Sequence, residues 1–262
     1  MGKTAQILLV MLTLLGTEAR ADVEASQYRQ FWLWAGVRPQ PVLQQADRLY
    51  LHQGEIGPLD PALPLRFQGQ GIAPSKLPVD ELWLAYRVER LDWDDTLLQN
   101  LENQLAAWQR KGNEVRGVQI DFDARTHQLA DYGHFLRQLR QQLPARYAIS
   151  ITGLLDWTRT GDIRELNALT GVVDELVVQT YRGRHTEPGY ARYLQTLHRL
   201  TLPFKLGLAQ GGEWDPAWEA RLAQVPAYGG TVVFLINPPP PRPLHTFPHP
   251  PAQPETWMPV SA

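Results

Sequence analysis

Eight short hydrophobic segments alternate along the chain with polar loops and helix-like stretches, and this alternation constrains the fold more than any other feature. The segments are rich in β-branched and aromatic residues, which is typical of strands. Strand and helix alternation implies parallel strands joined by crossovers, and eight such units predict a closed α/β barrel of the (β/α)8 TIM type. The predicted strands are Phe31–Gly36, Arg48–His52, Glu81–Val88, Val115–Asp123, Tyr147–Gly153, Glu175–Tyr181, Phe204–Ala209 and Thr231–Ile236.

The predicted outer helices differ in length. Leucines and Trp108 recur at helical spacing after the third strand, and residues 132–143 carry a second helical pattern that ends before Pro144. Three shorter helices are predicted at 163–169, 190–200 and 216–224. Helices after the first two strands are short or missing, and Gly54–Pro78 is predicted to be a long loop rich in Gly and Pro.

The two ends of the chain differ from the barrel in composition. Lys3 precedes an apolar run, and Ala19-Arg20-Ala21 is a small-x-small cleavage pattern, so residues 1–21 are predicted to be a secretory signal peptide. The barrel domain is then 22–237, followed by a Pro-rich tail at 238–262. We expect a periplasmic or secreted protein with no membrane insertion after cleavage. The tail is interpreted either as a coil extended over the barrel or as a ligand for a proline-recognition domain.

Composition excludes several classes of function. The 262 residues include no cysteine, so the chain has no disulfide, thiol nucleophile or thiolate metal site. The formal net charge of −2 gives no electrostatic basis for binding nucleic acid. The histidines lack metal-ligand spacing, and neither a phosphate-binding glycine loop nor a G-x-S-x-G elbow occurs. We therefore expect no metal and no cofactor.

The fourth predicted strand carries the most informative motif. Side chains alternate across a strand, so Val118 and Ile120 share one face, whereas Gln119, Asp121 and Asp123 share the other. Two carboxylates on one face are costly in a core unless they are paired or solvated. The carboxyl-terminal ends of barrel strands carry active sites, so Asp121 and Asp123 are predicted to be site residues. The alternative is a buried ion pair with Arg87 or Arg125.

Further polar and aromatic residues follow the other strands and are predicted to converge on the same barrel mouth. Amides, carboxylates and aromatic rings together are typical of a carbohydrate site, where rings stack on sugar faces and polar groups bind hydroxyls. The predicted substrate-binding residues are Arg87, Trp157, Gln179, Tyr181, Trp214 and Asn237.

Two segments resemble the family 18 glycoside hydrolases, the chitinase group. Gly117–Asp123 is similar to the fourth-strand signature of that family, and Gln179-Thr180-Tyr181 resembles its sixth-strand segment, whose tyrosine contacts the acetamido group of the substrate. The chain as a whole resembles a bacterial exported family of unknown function with a chitinase-like barrel. It departs from the glycoside hydrolases at Arg125, which occupies the position of their catalytic glutamate and cannot donate a proton near neutral pH.

Two functions follow from this resemblance. The first is hydrolysis of an envelope or extracellular polysaccharide, amino-sugar polymers included. Asp121 and Asp123 would be the stabilising or nucleophilic carboxylates, and Glu213 the acid, with Asp156 as the second choice for that role. The second is a non-catalytic glycan-binding barrel, suggested by Arg125. A third hypothesis, a structural partner of an envelope assembly, depends on the Pro-rich tail alone.

Overall fold

A computed structural model describes residues 20–60, 62–159 and 163–237. The predicted signal peptide, apart from Arg20 and Ala21, and the Pro-rich tail at 238–262 lie outside these residues. Among the residues described, none of the helices combines the length and the hydropathy that a membrane crossing requires.

Eight parallel strands form a closed barrel. Each strand pairs with the next, and the last pairs with the first. The predicted TIM-type fold is therefore confirmed. The strands are β1 (Gln30–Leu33), β2 (Arg48–Gly57), β3 (Glu81–Val88), β4 (Val115–Asp121), β5 (Ala148–Leu154), β6 (Glu175–Gln179), β7 (Phe204–Ala209) and β8 (Tyr228–Phe234).

Several strand ends differ from the prediction: β1 and β6 end earlier, β8 begins and ends earlier, and the ends of β2 and β4 have identifiable causes. β2 continues to Gly57 because its second half pairs on one side with β3 and on the other with an antiparallel strand, Arg66–Gly69, inside the predicted loop. β4 ends at Asp121, so Asp123 lies in the loop that follows it. The two aspartates therefore occupy different environments, one inside the barrel and one at its rim.

The helical layer around the barrel is incomplete. Among the described residues two full helices, α1 (Asp95–Arg110) and α2 (Leu129–Gln142), are present, and only a 3-10 turn, Pro41–Gln45, follows β1. The predicted helix at 190–200 breaks off after Leu194, where the Thr196 hydroxyl donates to the Tyr193 carbonyl and competes with the helical bonds. The helices are α1 (Asp95–Arg110), α2 (Leu129–Gln142), α3 (Ile163–Asn167), α4 (Ala191–Leu194) and α5 (Ala217–Leu222).

Helix α1 shows how the outer core forms. The Asp94 side chain accepts a hydrogen bond from the Leu97 backbone at 2.8 Å and caps the first turn. The apolar stripe of α1 is buried against the outward-facing side chains of the strands. At the far end of that stripe, the fully buried Trp108 ring satisfies its Nε1–H by donating to Gln53 Oε1 at 2.8 Å.

The inward-facing side chains fill the lumen. Trp32, Tyr50 and Trp83 pack together there with smaller residues of the opposite strands. Gln119 is fully buried beside them, but its amide is satisfied because Oε1 accepts from Trp32 and Nε2 donates to Ser150 Oγ at 2.9 Å. The middle of the barrel is thus closed by packed side chains and contains no channel.

An ion network closes the amino-terminal end of the lumen. Glu175 Oε2 lies 3.1 Å from Arg48 Nη1 and 3.0 Å from Lys205 Nζ, and its other oxygen accepts from the Tyr50 hydroxyl. Arg48 also pairs with Glu81 at 2.9 Å. Burial raises the pKa of Glu175, while the Tyr50 hydrogen bond and the Arg48 charge act in the opposite direction.

Candidate functional site

At the carboxyl-terminal end of the barrel, the two arms of the Arg87 guanidinium pair with two aspartates, an arrangement that we call the Arg87 fork. Arg87 on β3 and Asp121 on β4 are paired in register, and Arg87 Nη1 donates to Asp121 Oδ2 at 2.9 Å. The other arm of the guanidinium, Nη2, binds Asp123 Oδ2 at 2.5 Å. Thr152 on β5 donates to the remaining Asp121 oxygen at 2.6 Å. Both oxygens of Asp121 and one oxygen of Asp123 are therefore engaged.

The two aspartates differ in exposure. Asp121 is only 3% exposed, and burial raises its pKa although the Arg87 charge lowers it. The Asp123 side chain is 47% exposed and faces the solvent at the rim. Asp121 is thus buried beneath the site and forms its floor, whereas Asp123 is the aspartate that a ligand can reach.

A cleft of about 450 Å³ opens above this floor. Of the predicted residues, Arg87, Asp123, Asp156, Gln179 and Tyr181 all contribute to its lining, so the structure brings the barrel-mouth candidates of β3 to β6 together. The remaining lining residues include Leu154, Leu155, Arg182, Gly183, Glu187 and Tyr193.

Tyr181 and Gln179 are held differently in the cleft. The Tyr181 ring stacks on Phe234 with centroids 5.5 Å apart and meets the edge of Trp32. Burial and the nearby Asp121 charge raise the pKa of Tyr181 well above its usual value, so its hydroxyl keeps its proton and remains a donor. The side-chain amide of Gln179 makes no hydrogen bond within the described part of the chain. Both its donor and its acceptor are available to a ligand.

Besides Asp121, which lies beneath the cleft, four predicted site residues do not line it. Trp157 is fully buried because its ring packs on Tyr132 and its Nε1 donates to the Ala124 carbonyl at 2.8 Å. Trp214 is 2% exposed and stacks on Tyr190, so neither tryptophan offers a face to a sugar.

The other two, Asn237 and Glu213, lie outside the cleft for different reasons. The Asn237 side chain bonds the backbone of Gly36 and Arg38, which ties the end of the barrel to the loop after β1. Glu213 lies beyond β7 with its side chain 74% exposed, and it borders a separate cavity. Because Glu213 does not line the cleft, its position gives no support to Glu213 as the acid that acts with Asp121 and Asp123.

Three of the cleft residues that were not predicted from the sequence, Arg182, Glu187 and Tyr193, carry polar groups that a ligand could meet. Arg182 and Glu187 belong to a hairpin in which Tyr181–Arg182 pairs with His185–Thr186 around Gly183 at φ 61°. Arg182 Nε lies 3.3 Å from Glu187 Oε2. A glycine between two short polar segments is a hairpin signal that could have indicated this structure.

A buried histidine lies inside the rim of the barrel. His52 is fully buried and stacks on Trp34 with centroids 4.2 Å apart, at an interplanar angle of 15°. Neither ring nitrogen has a hydrogen-bond partner among the described residues. Burial lowers the pKa of His52, and the Glu55 charge opposes that effect. The neutral imidazole is therefore the form that the folded protein accommodates.

Acidification is expected to destabilise the protein through His52. In the unfolded chain an imidazole takes up a proton near pH 6.5, whereas native His52 resists protonation. The free energy of unfolding should therefore fall by about 1 kcal/mol between pH 7 and pH 5 from this group. Urea titrations of His52→Phe should lose this part of the pH dependence, while the exposed-site control His134→Gln should retain it. An unchanged pH dependence in His52→Phe would contradict the assignment.

Metal coordination receives no support from the part of the chain that the structure describes. No group of three or more His, Asp or Glu side chains there is arranged to hold an ion.

Comparison with solved structures gives the fold but little sequence identity. A xylanase-α-amylase inhibitor protein (XAIP-III) has a TM-score of 0.50 at 11% identity, over 79% of this chain and 93% of its own. The spore cortex-lytic enzyme SleL of Bacillus cereus has a TM-score of 0.45 at 18% identity, over 68% of this chain. The chitinase domain of the spore coat protein CotE from Clostridium difficile has a TM-score of 0.43 at 14% identity, over 72% of this chain and 69% of its own.

The chain spans about half of SleL, 49% of its length. No curated protein sequence is significantly similar to this chain. A family model matches residues 83–189, a range that runs from β3 to the far side of the hairpin. This range contains Arg87, Asp123, Gln179, Tyr181 and most of the other cleft residues. It matches the family described as Domain of unknown function (DUF3142), which confirms the resemblance to a family of unknown function.

Proposed function

We propose that the protein is an exported glycan-binding barrel that holds an oligosaccharide or polysaccharide in the cleft at its carboxyl-terminal end. The observation that carries this proposal is the Arg87 fork. Its guanidinium pairs with both Asp121 and Asp123, the signature carboxylates that would act beside the acid in a family 18-like site. Arg125 stands where the acid would be and does not line the cleft. The proposed ligand site thus lacks the acid that the resemblance would require.

The chemistry of the cleft supports a sugar ligand. The amide of Gln179 can donate to one hydroxyl and accept from another, and the neutral Tyr181 hydroxyl can do the same. Tyr193 adds a second aromatic side chain to the wall. Aromatic carbon faces with a few convergent polar groups suit the mixed surface of a pyranose ring.

Hydrolysis is the second candidate, and one observation favours it. Asp156 and Glu187 line the same cleft as Asp123, so the cleft holds carboxylates other than the signature pair. Two-carboxylate hydrolysis needs groups about 5–10 Å apart on opposite sides of the scissile bond. Asp156, the second choice for the acid from sequence, keeps that role in this hypothesis.

The proposed location is the periplasm or the exterior of a bacterial cell. The export pattern at residues 1–21 supports it. A polysaccharide of the envelope or of the extracellular matrix is the polymer that a protein exported there would meet.

Removing one hydroxyl from the cleft should weaken glycan binding. Tyr181→Phe keeps the stacking on Phe234 but loses a hydrogen bond to the ligand, so the Kd should rise about three- to tenfold. Gln179→Leu should have a similar effect. The matched control is Tyr147→Phe, whose hydroxyl contacts Gln109 on α1 and not the cleft. Calorimetric titration against soluble envelope and extracellular oligosaccharides measures these changes.

A reducing-end assay on the same panel separates the two candidates. The binding barrel should release no new reducing ends. Release that disappears in Asp123→Asn or Asp156→Asn would establish the hydrolase instead. Folded protein that binds no glycan of the panel would overturn the proposed function.

A further inference from the structure

Four rings in contact continue from the cleft around the barrel mouth, and we call them the aromatic row. Tyr181, which lines the cleft, stacks on Phe234 at the end of β8. Phe234 in turn meets Trp34, the residue that follows β1, with centroids 6.0 Å apart and an interplanar angle of 71°. Trp34 stacks on His52 of β2. The aromatic row therefore connects the cleft with the part of the mouth formed by β8, β1 and β2.

Trp34 is the member of the aromatic row with an unused hydrogen-bond donor. His52 covers one face of the indole and is itself fully buried, so the ring is supported on that side. Trp34 is nevertheless partly exposed. Its Nε1–H makes no hydrogen bond within the described part of the chain and is open to solvent. Most other described tryptophans donate theirs to a protein acceptor. Trp34 thus offers a ligand an apolar ring and a free donor.

Glu55 adds a carboxylate to this part of the mouth. It is paired in register with Arg87 of β3, so the two side chains lie on the same face of the sheet. A bulge in β2 between His52 and Gly54 brings Glu55 to the face that His52 also occupies. Glu55 is half-buried, and its carboxylate forms no hydrogen bond or ion pair with any residue that the structure describes. Both of its oxygens are available to sugar hydroxyls.

We propose that Trp34 and Glu55 form a second sugar-binding position beside the cleft, so that the mouth binds two or more consecutive pyranose units. This inference rests on the proposed glycan-binding function and adds a ligand length and two ligand-binding residues to it. One unit lies in the cleft at Gln179 and Tyr181, and the next stacks on Trp34 while its hydroxyls donate to Glu55. The aromatic row joins the two positions on one side, and the register of Glu55 with Arg87 joins them on the other.

The ring chemistry defines the class of sugar. Pyranoses with equatorial hydroxyls present their axial C–H groups as a flat apolar face, which suits stacking on an indole. The equatorial hydroxyls then point outward from the ring edge, where a carboxylate and an indole N–H can bind them. The expected ligand is therefore an unbranched chain of such units.

The first test is the dependence of affinity on chain length. Calorimetric titration uses the mono-, di- and tetrasaccharides of β-1,4-linked glucose and of β-1,4-linked N-acetylglucosamine. The tetrasaccharide that binds should do so about tenfold more tightly than its monosaccharide. Trp34→Ala and Glu55→Gln should each weaken the tetrasaccharide about three- to tenfold and lose most of the gain with length. The matched control for Glu55→Gln is Glu114→Gln, an exposed acid at the amino-terminal end of β4.

The second test locates the ligand on the Trp34 ring. Acrylamide quenches the fluorescence of accessible tryptophans, and saturating tetrasaccharide should reduce that quenching by covering Trp34. The protection should disappear in Trp34→Phe. It should persist in the matched control Trp93→Phe, because Trp93 is also partly exposed but packs on Phe135 and does not line the cleft. Circular dichroism verifies that each variant is folded.

The outcomes separate this inference from the proposed function. Equal affinity for the monosaccharide and the tetrasaccharide, or equal tetrasaccharide binding by Glu55→Gln and Glu114→Gln, would overturn the second position. Protection from acrylamide that survives in Trp34→Phe would overturn it as well. In each of these cases, binding that Tyr181→Phe still weakens would leave the proposed function intact. Absence of binding to both series and to the rest of the glycan panel would overturn both proposals.

Discussion

Glu175→Leu is expected to lower the free energy of unfolding by about 3–5 kcal/mol. The Lys205 side chain is only 6% exposed, and Glu175 is the carboxylate with which it pairs. Without Glu175 its ammonium group keeps Gln30 and the Tyr50 hydroxyl but no opposite charge. An uncompensated charge inside the barrel is far more costly than the loss of one hydrogen bond. Urea unfolding followed by tryptophan fluorescence measures the difference.

The double variant Glu175→Leu/Lys205→Met is the control for that interpretation. It removes both charges together, and replacement of a buried ion pair by apolar side chains is often close to neutral. We expect it to recover most of the stability lost in Glu175→Leu. If the double variant is no more stable than the single one, the lost stability comes from packing in the lumen and not from the isolated charge.

Arg87→Met has the second largest expected effect, a loss of about 2–4 kcal/mol at neutral pH. It leaves the buried Asp121 with Thr152 but without its cation. Arg87 is partly exposed, so water can replace some of what the guanidinium provides, and the loss should be smaller than for Glu175→Leu. The surface pair Arg90 and Asp92 offers the matched control, since Arg90→Met should change stability very little.

The stability loss in Arg87→Met is expected to depend on pH, in a direction set by the pKa of Asp121. Burial already raises the pKa of Asp121, and loss of Arg87 removes the main influence that lowers it. A group whose pKa is raised on folding stabilises the protein in its protonated form, below the unfolded value near 3.9, and loses that effect as pH rises. The deficit of Arg87→Met should therefore shrink on acidification from pH 7 towards pH 4. A constant deficit, or no recovery in Arg87→Met/Asp121→Asn, would contradict the buried-charge explanation.

The sequence predicted the barrel well because strand signals are local. The bounds of β3 and β7 agree with the prediction, since both are mainly apolar segments that are followed by loop residues. The alternation around Asp121 also identified which side chains face the lumen. The helix at 190–200 was too long because the hydroxyl of Thr196, which bonds back to Tyr193, has no signature in hydrophobic spacing.

The residues that line the cleft were predicted in part, and the misplaced ones have a common physical cause. Arg87, Gln179 and Tyr181 were found because inward-facing residues near strand ends must point into the mouth. Trp157 and Trp214 follow strands as well, but their loops turn back over the outer core, a direction set by tertiary packing. Glu187 was missed because its place in the cleft depends on a hairpin fold and not on a strand end.

The barrel closes through a short pairing between its last and first strands, β8 and β1, which we call the seam. β8 pairs with β1 only at Val233 with Phe31 and Phe234 with Trp32, whereas β2 pairs with β3 along most of their lengths. Strands joined by few hydrogen bonds separate at lower free energy than the rest of a sheet. Phe234 lies on this seam and is the ring on which Tyr181 rests. A ligand that holds Tyr181 in place would therefore also stabilise the pairing of β8 with β1. Ligand binding in the cleft would thus oppose local opening of the barrel.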